Sequence, residues 1–421
     1  MAAPPPPPFP DLRAWLETTS LADALASARA RAPTPPSPAP TPIAAVESDE
    51  PVAALLTLLA SRRVLSAPVC IRSSGDPPGS AALARGGPPA KAVAGFASAA
   101  DVLDAVLSEL GGGEGGVGGG PDPTPDAIER AAAAVCARPV GSLLDAEHAP
   151  GATVGSVREA TAGRDWALLA PAPAAVPLLD AIAFHFFRAG PDWAAGRPRR
   201  PVHRLALVDG PSSTVAGIAS QSDVVAALAA APPGAWGGAA EAAPLDRLLP
   251  APRPIVSLPA GPRTTALAAF RAMRAAGVPG IALTDPDSGA LVGHLSASDA
   301  RCLAPGTFGS LALPVATFLA ERPLLAAAAT DTAGGAGGVA AAVAAAAAAG
   351  TSLVGVPGAT RAGRLMSAVP GLGLRAAAAA LAAGRVHQLY EVDPATGAPV
   401  RVVAVSDVLA AVLAAAGGAP A

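Results

Sequence analysis

Two hydrophobic periods alternate along the chain. Ala266, Ala269, Phe270 and Met273 recur at i, i+3, i+4 and i+7, the spacing of one helix face. Leu178, Ile182 and Phe186 recur every four residues in the same sense. After each periodic stretch comes a short apolar run, such as Leu205 to Val208 or Ile281 to Leu283. A turn rich in Asp, Gly, Pro and Ser follows, then a second apolar run, then a further helical stretch opening near an Asp. The pattern predicts a β-hairpin held between two helices, in a unit of roughly 60 residues.

The unit recurs. Val202-His203-Arg204-Leu205 leads to Val208-Asp209 and then to Ser222-Asp223-Val224-Val225. Val386-His387-Gln388-Leu389 leads to Val392-Asp393 and then to Ser406-Asp407-Val408-Leu409. In both copies the second Asp stands 21 residues after the opening Val, and the same interval separates Val278 from Asp299 in a third copy. A first copy opens at Ser66-Ala67-Pro68-Val69 and closes at Gly95-Phe96-Ala97-Ser98-Ala99-Ala100-Asp101. The Gly/Pro/Ser-rich insertion between them, 73–90, reads as a surface loop.

One such unit is too small to bury much surface alone, so pairing is expected, first with second and third with fourth. The fold class expected is α/β: four repeats as two tandem pairs. The expected divisions are a Pro/Ala-rich N-terminal region 1–42, repeat 1 at 43–110, a Gly/Pro-rich linker 111–150, repeat 2 at 151–232, repeat 3 at 245–306 and repeat 4 at 313–416. Within these, 111–125 reads as a flexible connection and 231–238 as the spacer between the pairs. A Gly/Ala-rich insertion near 330–350 interrupts the fourth repeat.

The unit carrying VHRLALVD (202–209) and GIASQSDVV (217–225) resembles the cystathionine-β-synthase-type (CBS) repeat. Four such units in one chain resemble the γ regulatory subunits of the AMP-activated and sucrose-non-fermenting-1-related kinases. LVGHLSASDARCL (291–303) is similar to the third repeat of plant γ-like members, and DWALLAPAPAAVPLLDAIAFHFF (165–187) to the entry of their second. The resemblance implies a non-catalytic protein whose repeat pairs (Bateman modules) meet as a flattened disk. It implies kinase α- and β-type subunits as partners, AMP, ADP or ATP as the ligand, and a cytoplasmic or nuclear setting.

Ser98-x-x-Asp101, Ser220-x-x-Asp223 and Ser296-x-x-Asp299 have a purely local reading, the capping box that starts a helix. The same geometry suits a ligand: a helix start offers free N–H groups and a positive dipole end to a phosphate, and a carboxylate there can accept hydrogen bonds from a ribose diol. The resemblance assigns ribose contact to Asp101, Asp223, Asp299 and Asp407. In the fourth copy the N-cap position is Ala404, so capping explains Asp407 less well, and Ser406 is the remaining hydroxyl.

The resemblance also assigns phosphate contact to a His-Arg pair, for which Arg is suited by its fork of donors. His203-Arg204 keeps the pair, while His387 is followed by Gln388, which carries no charge. In the first copy Leu65 falls near that place. Half-buried strand histidines are the bland alternative for His203 and His387. His185, on an apolar helix, reads as core. The candidate nucleotide residues are therefore Asp101, Asp223, Asp299, Asp407, His203, Arg204, His387, Ser220, Ser296 and Ser406.

Composition narrows the picture. Apolar residues make up 51% of the 421 residues but aromatics only 3%, so Ala, Val and Leu must build the core. A net charge of −3 argues against nucleic acid or an anionic membrane as partner. Cys70, Cys136 and Cys302 form no CxxC pair and no metal spacing, which fits a reducing compartment. Met1 to Pro10 lacks the features of a secretory signal. The uncharged run 332–360 is mostly Ala and Gly with Pro357 inside, and gains little from lipid. The Pro-rich stretches 4–10 and 33–42 read as disordered. No phosphate-binding Gly loop, nucleophile elbow, kinase signature or metal-ligand set is present, so no catalytic residue or cofactor is expected.

Overall fold

The computed structural model describes residues 9–30, 43–62, 64–71, 93–111, 122–145, 166–169, 173–187, 202–209, 214–248, 255–330, 367–368 and 370–417. The insertion 73–90, most of 111–125 and the Gly/Ala run 332–360 lie outside them. Four three-stranded sheets carry the fold, one per unit. They are β1 (Val46–Glu47), β2 (Ser66–Cys70) and β3 (Val93–Ser98) in unit 1; β4 (Trp166–Leu169), β5 (Arg204–Asp209) and β6 (Thr214–Ser220) in unit 2; β7 (Ser257–Pro259), β8 (Gly280–Thr284) and β9 (Leu291–Ser296) in unit 3; and β10 (Ser367–Ala368), β11 (Gln388–Val392) and β12 (Pro399–Ala404) in unit 4.

In every sheet the first strand runs parallel to the second, and the second antiparallel to the third. The register repeats to the residue. Ser66 pairs with Ser98, Arg204 with Ser220, Gly280 with Ser296 and Gln388 with Ala404. Val202, Val278 and Val386 thus stand two residues ahead of equivalent positions. The 21-residue interval is a structural repeat. The interiors of β8 and β11 are buried, because helices cover one face of each sheet and a neighbouring sheet the other.

A helix precedes each hairpin: Val52–Arg62, Leu178–Asp180 continued by Ala181–Phe186, Ala266–Ala276 and Leu374–Gly384. Another follows: Ala99–Glu109, Gln221–Ala230, Ala297–Cys302 and Val405–Ala415. Two differ from the α-helices expected. Ala181–Phe186 is π-helical, with the Phe187 N–H donating to the Ile182 carbonyl at 3.0 Å. Leu178, Ile182 and Phe186 are nevertheless all fully buried. Ala297–Cys302 is a 3₁₀ turn of six residues, halted ahead of Pro305 and Gly306.

Sheets pair as the sequence predicts. Units 1 and 2 meet through Phe96, Ala206 and Val215, with Ile43, Val93 and Ile218 around them. Units 3 and 4 meet through His294 and Tyr390 and through the Leu291 N–H, which donates to the Gly397 carbonyl at 2.9 Å. The helices make a different partnership. One core joins units 1 and 3, including Leu55, Val102, Phe270 and Phe318; the other joins units 2 and 4, including Phe186, Val224, Leu381 and Val408. Two kinds of interface thus close four units into one body.

The segments leading into the units are exchanged within each pair. Isolated bridges join Ser20 to Pro177, Pro51 to Pro139, Pro244 to Gly373 and Thr265 to Pro314. The lead-in to each unit therefore lies against the other member of its pair. The first of these lies in the N-terminal region 1–42, where Pro10–Thr18 and Leu21–Ala30 are helices. Leu12, Leu16 and Leu21 are fully buried in the core of units 2 and 4.

Residues 233–238 of the segment between the pairs belong to the helix Pro233–Ala242, kinked at Gly237. Trp236 is fully buried there and its indole N–H donates to the Leu228 carbonyl at 3.3 Å. Burying a Trp outweighs the poor helix propensity of the flanking Gly and Pro. Gly237 has φ 61°, and a Cβ there would lie 2.9 Å from the Asp11 carboxylate. Among the described residues, no helix is long and apolar enough to cross a membrane.

Candidate functional site

The four helix-start carboxylates sit in equivalent frames. Asp101 Oδ2 accepts the Ser98 N–H and hydroxyl, each at 2.7 Å. Asp223 Oδ2 accepts the Ser220 N–H at 2.8 Å and its hydroxyl at 2.7 Å. Asp299 Oδ2 accepts the Ser296 N–H at 2.7 Å and its hydroxyl at 2.9 Å. Asp407 Oδ2 accepts the Ala404 N–H at 2.8 Å. Asp407 keeps the carboxylate half of the box and lacks the hydroxyl half, since the N-cap is Ala404. The carboxylate half of the box needs only a backbone N–H, which Ala supplies as well as Ser. Ser406 is half-buried in the first turn of that helix.

Asp299 is also held through its second oxygen. Oδ1 forms an ion pair with Arg322, on the helix Val315–Thr330, and the carboxylate is 9% exposed. Asp101, Asp223 and Asp407 are half-buried.

Register explains the basic residues. Arg204, Ser66, Gly280 and Gln388 occupy one position of the hairpin. His203, Leu65, Pro279 and His387 precede them, so in unit 1 Leu65 stands at the His place and Ser66 at the Arg place. Across units these positions converge. The His387 imidazole is held below the ordinary histidine value, first by the protein around it and then by the positive charges of Arg204, His203, Arg301 and His294. Basic residues of units 2, 3 and 4 thus form one group within electrostatic range of His387. His387 is exposed within it, and His203 and Arg204 are half-buried.

Beside the cluster, units 3 and 4 touch closely. A Cβ on Gly280 would meet Gln388 Oε1 and His294 Cε1, each at 2.5 Å, so a larger residue would have to displace both side chains. Gln388 Oε1 is buried and has no hydrogen-bond partner among the described residues. His294 Nδ1 lies 2.7 Å from the Tyr390 hydroxyl. Burial lowers the His294 value, with Asp299 opposing and Arg322 reinforcing the shift. His185 stays half-buried on its π-helix.

The structure therefore brings His203, Arg204 and His387 together from two units. It places Ser220, Ser296, Asp101, Asp223, Asp299 and Asp407 at helix starts. Sequence reasoning missed Arg301 and Arg322. The signal for Arg301 was present, two residues past a helix-start Asp; nothing local marked Arg322. Among the described residues, no group of three or more His, Cys, Asp or Glu is placed to hold a metal. Cys70, Cys136 and Cys302 are buried, and burial pushes their thiols up to about 12, about 11 and about 12 respectively.

No protein-family model matches the chain, and no curated protein matches it in sequence. Among solved structures, one from Methanocaldococcus jannaschii, described as a candidate archaeal homologue of γ-AMPK, is similar at 14% identity and a TM-score of 0.46, over 87% of this chain and 95% of that one. An uncharacterized conserved protein of Pyrococcus horikoshii is similar at 13% identity and a TM-score of 0.33, over 59% of this chain and 80% of that one.

Proposed function

We propose that this chain is a non-catalytic, four-CBS-repeat regulatory protein, a γ-type subunit of a sucrose-non-fermenting-1-related kinase, and that it takes the phosphates of an adenine nucleotide at the cationic cluster. The observation that carries the reading is the shared hairpin register that sets His203-Arg204 of unit 2 and His387-Gln388 of unit 4 at one position, with Arg204, His203 and Arg301 within electrostatic range of His387. Separate units that share one anion respond to it together: nucleotide favours one arrangement of the units, and the kinase α- and β-type partners read it. Asp223, at a helix start in the same unit as Arg204, is the candidate for the ribose. Asp101 and Asp407 hold the equivalent places in units 1 and 4.

Calorimetric titration with AMP, ADP and ATP tests the reading. Arg204→Ala removes a charge-assisted contact and is expected to weaken binding roughly ten- to hundred-fold. Gln388→Ala removes no charge and is expected to do less. Absence of heat and of any melting shift at millimolar nucleotide overturns the ligand assignment. Co-expression with kinase α- and β-type subunits is expected to give a co-purifying complex; a lone chain overturns the γ assignment.

A second reading, a CBS-repeat scaffold with degenerate nucleotide sites, is favoured by three observations. Gln388 and Ser66 stand where unit 2 has Arg204. Leu65 stands where it has His203. Arg322 already engages Asp299. The same titration separates the two readings.

A further inference from the structure

The third unit departs from the second at its helix start. Asp223 Oδ2 holds the Ser220 cap, and Oδ1 has no hydrogen-bond or ion-pair partner among the described residues. Asp299 has no such vacancy: Oδ2 holds the Ser296 cap, Oδ1 holds Arg322, and the pair is 9% and 16% exposed. Arg322 is further fixed by donating Nε to the Leu319 carbonyl at 3.3 Å. For Asp299 to accept a ribose diol, a nearly buried ion pair would have to open, and breaking one side of such a pair is strongly unfavourable. The helix behind it is also a six-residue 3₁₀ turn, with little dipole to offer.

The exchanged lead-in distinguishes unit 3 from unit 2. Arg322 stands eight residues past the bridge residue Pro314, on the lead-in to unit 4, which lies against unit 3. The same step from Ser20, on the lead-in that lies against unit 2, reaches Ala28. Ala has no group that could reach Asp223.

Two residues past Asp299, unit 3 carries Arg301. Its Nε donates to the Ser298 carbonyl at 3.0 Å, which anchors the guanidinium at the exposed end of the 3₁₀ turn. The two terminal nitrogens have no hydrogen-bond or ion-pair partner among the described residues. The turn is tied to the hairpin at the point where unit 4 approaches: the Ala297 N–H donates to the Pro279 carbonyl at 2.9 Å, and the next residue, Gly280, lies against Gln388. Gln388 is the neutral residue at the Arg204 position.

We infer that unit 3 serves the shared site through Arg301 and not through Asp299: Arg322 neutralises the carboxylate, and Arg301 supplies beside His387 the phosphate-binding cation that Gln388 does not. This rests on the nucleotide reading for its ligand, but not for its anion chemistry. The charge count it implies favours a long phosphate chain. A triphosphate carries enough charged oxygens to engage Arg204 and Arg301 together, whereas a monophosphate gains less from the second cation.

The test titrates the full chain with AMP, ATP and inorganic tripolyphosphate, for wild type, Arg301→Gln and Arg274→Gln. Arg274 is a charge control, because its guanidinium bonds Ser108 at the far end of the helix Ala99–Glu109. Arg301→Gln is expected to weaken ATP about ten-fold or more and AMP by much less. Arg274→Gln is expected to change neither. Equal affinities for ATP in wild type and Arg301→Gln overturn the inference. If nucleotides give no signal but tripolyphosphate binds with the same Arg301 dependence, the inference stands and the nucleotide reading falls. If neither nucleotide nor tripolyphosphate binds, both fall. In parallel, Asp299→Asn and Arg322→Gln are expected to lower the melting temperature, and the double variant no further than the worse single one. Independent, additive effects overturn the assignment of Asp299 to Arg322.

Discussion

His294 and Tyr390 join unit 3 to unit 4 at the place where Phe96 and Ala206 join unit 1 to unit 2. The registers make the equivalence: His294 pairs with Ala282 as Phe96 pairs with Pro68, and Tyr390 with Val402 as Ala206 with Ile218. One pair of sheets is closed by apolar contact, the other by a hydrogen bond of 2.7 Å between groups 96 residues apart.

The burial of His294 at this contact sets a pH dependence. Burial lowers the His294 value below the unfolded 6.5, and the same is true of His185. The unfolded chain therefore takes up protons first. Their contribution to stability is complete above about pH 6.5 and is lost as the pH falls through that value. Melting temperatures are expected to be level above about pH 7 and to fall toward about pH 5. His294→Phe with Tyr390→Phe replaces the polar pair by an aromatic one, and is expected to flatten this fall. An unchanged slope would exclude His294 as a source.

A second prediction concerns the helix ends. Gly277 and Arg385 occupy the same C-cap place, both left-handed, at φ 63° and 51°. Gly adopts that conformation freely; a side chain raises its energy by about 1 kcal/mol. Arg385→Gly is expected to stabilise the chain by about that amount in denaturant unfolding.

Ala404 is the one N-cap of the four hairpins without a hydroxyl. Ala404→Ser would let Ser Oγ accept the Asp407 N–H, as Ser220 does for Asp223 at 3.2 Å. A gain of about 0.5–1 kcal/mol is expected, read as a higher unfolding midpoint at unchanged slope.

The N-terminal helices are a further place to probe. Leu16 is fully buried in the core of units 2 and 4. Leu16→Ala is expected to destabilise by about 2–5 kcal/mol, far above the effect of a surface change. An effect below about 0.5 kcal/mol would show that the helix Pro10–Thr18 does not hold that core.

What the sequence by itself determined is whatever short-range chemistry decides. A period of two or of 3.6 sets strand or helix, and an acid three residues past a Ser starts a helix. The 21-residue interval shows both being repeated, and the sheet registers follow it. Helix type was less legible: Leu178, Ile182 and Phe186 have the spacing of an α-helix and lie in a stretch that turns π. What only the tertiary structure decided depends on groups distant in the chain. The Gly/Pro context of Trp236 reads as a spacer until a core exists to bury the indole. Asp299 looks equivalent to Asp223 until the helix 23 residues on brings Arg322 to it. Gln388 carries no charge in the sequence, and only the packing of unit 3 brings Arg301 within electrostatic range of His387. Local rules act over a few residues, but burial and charge act through space, and only the packed units establish which residues are neighbours.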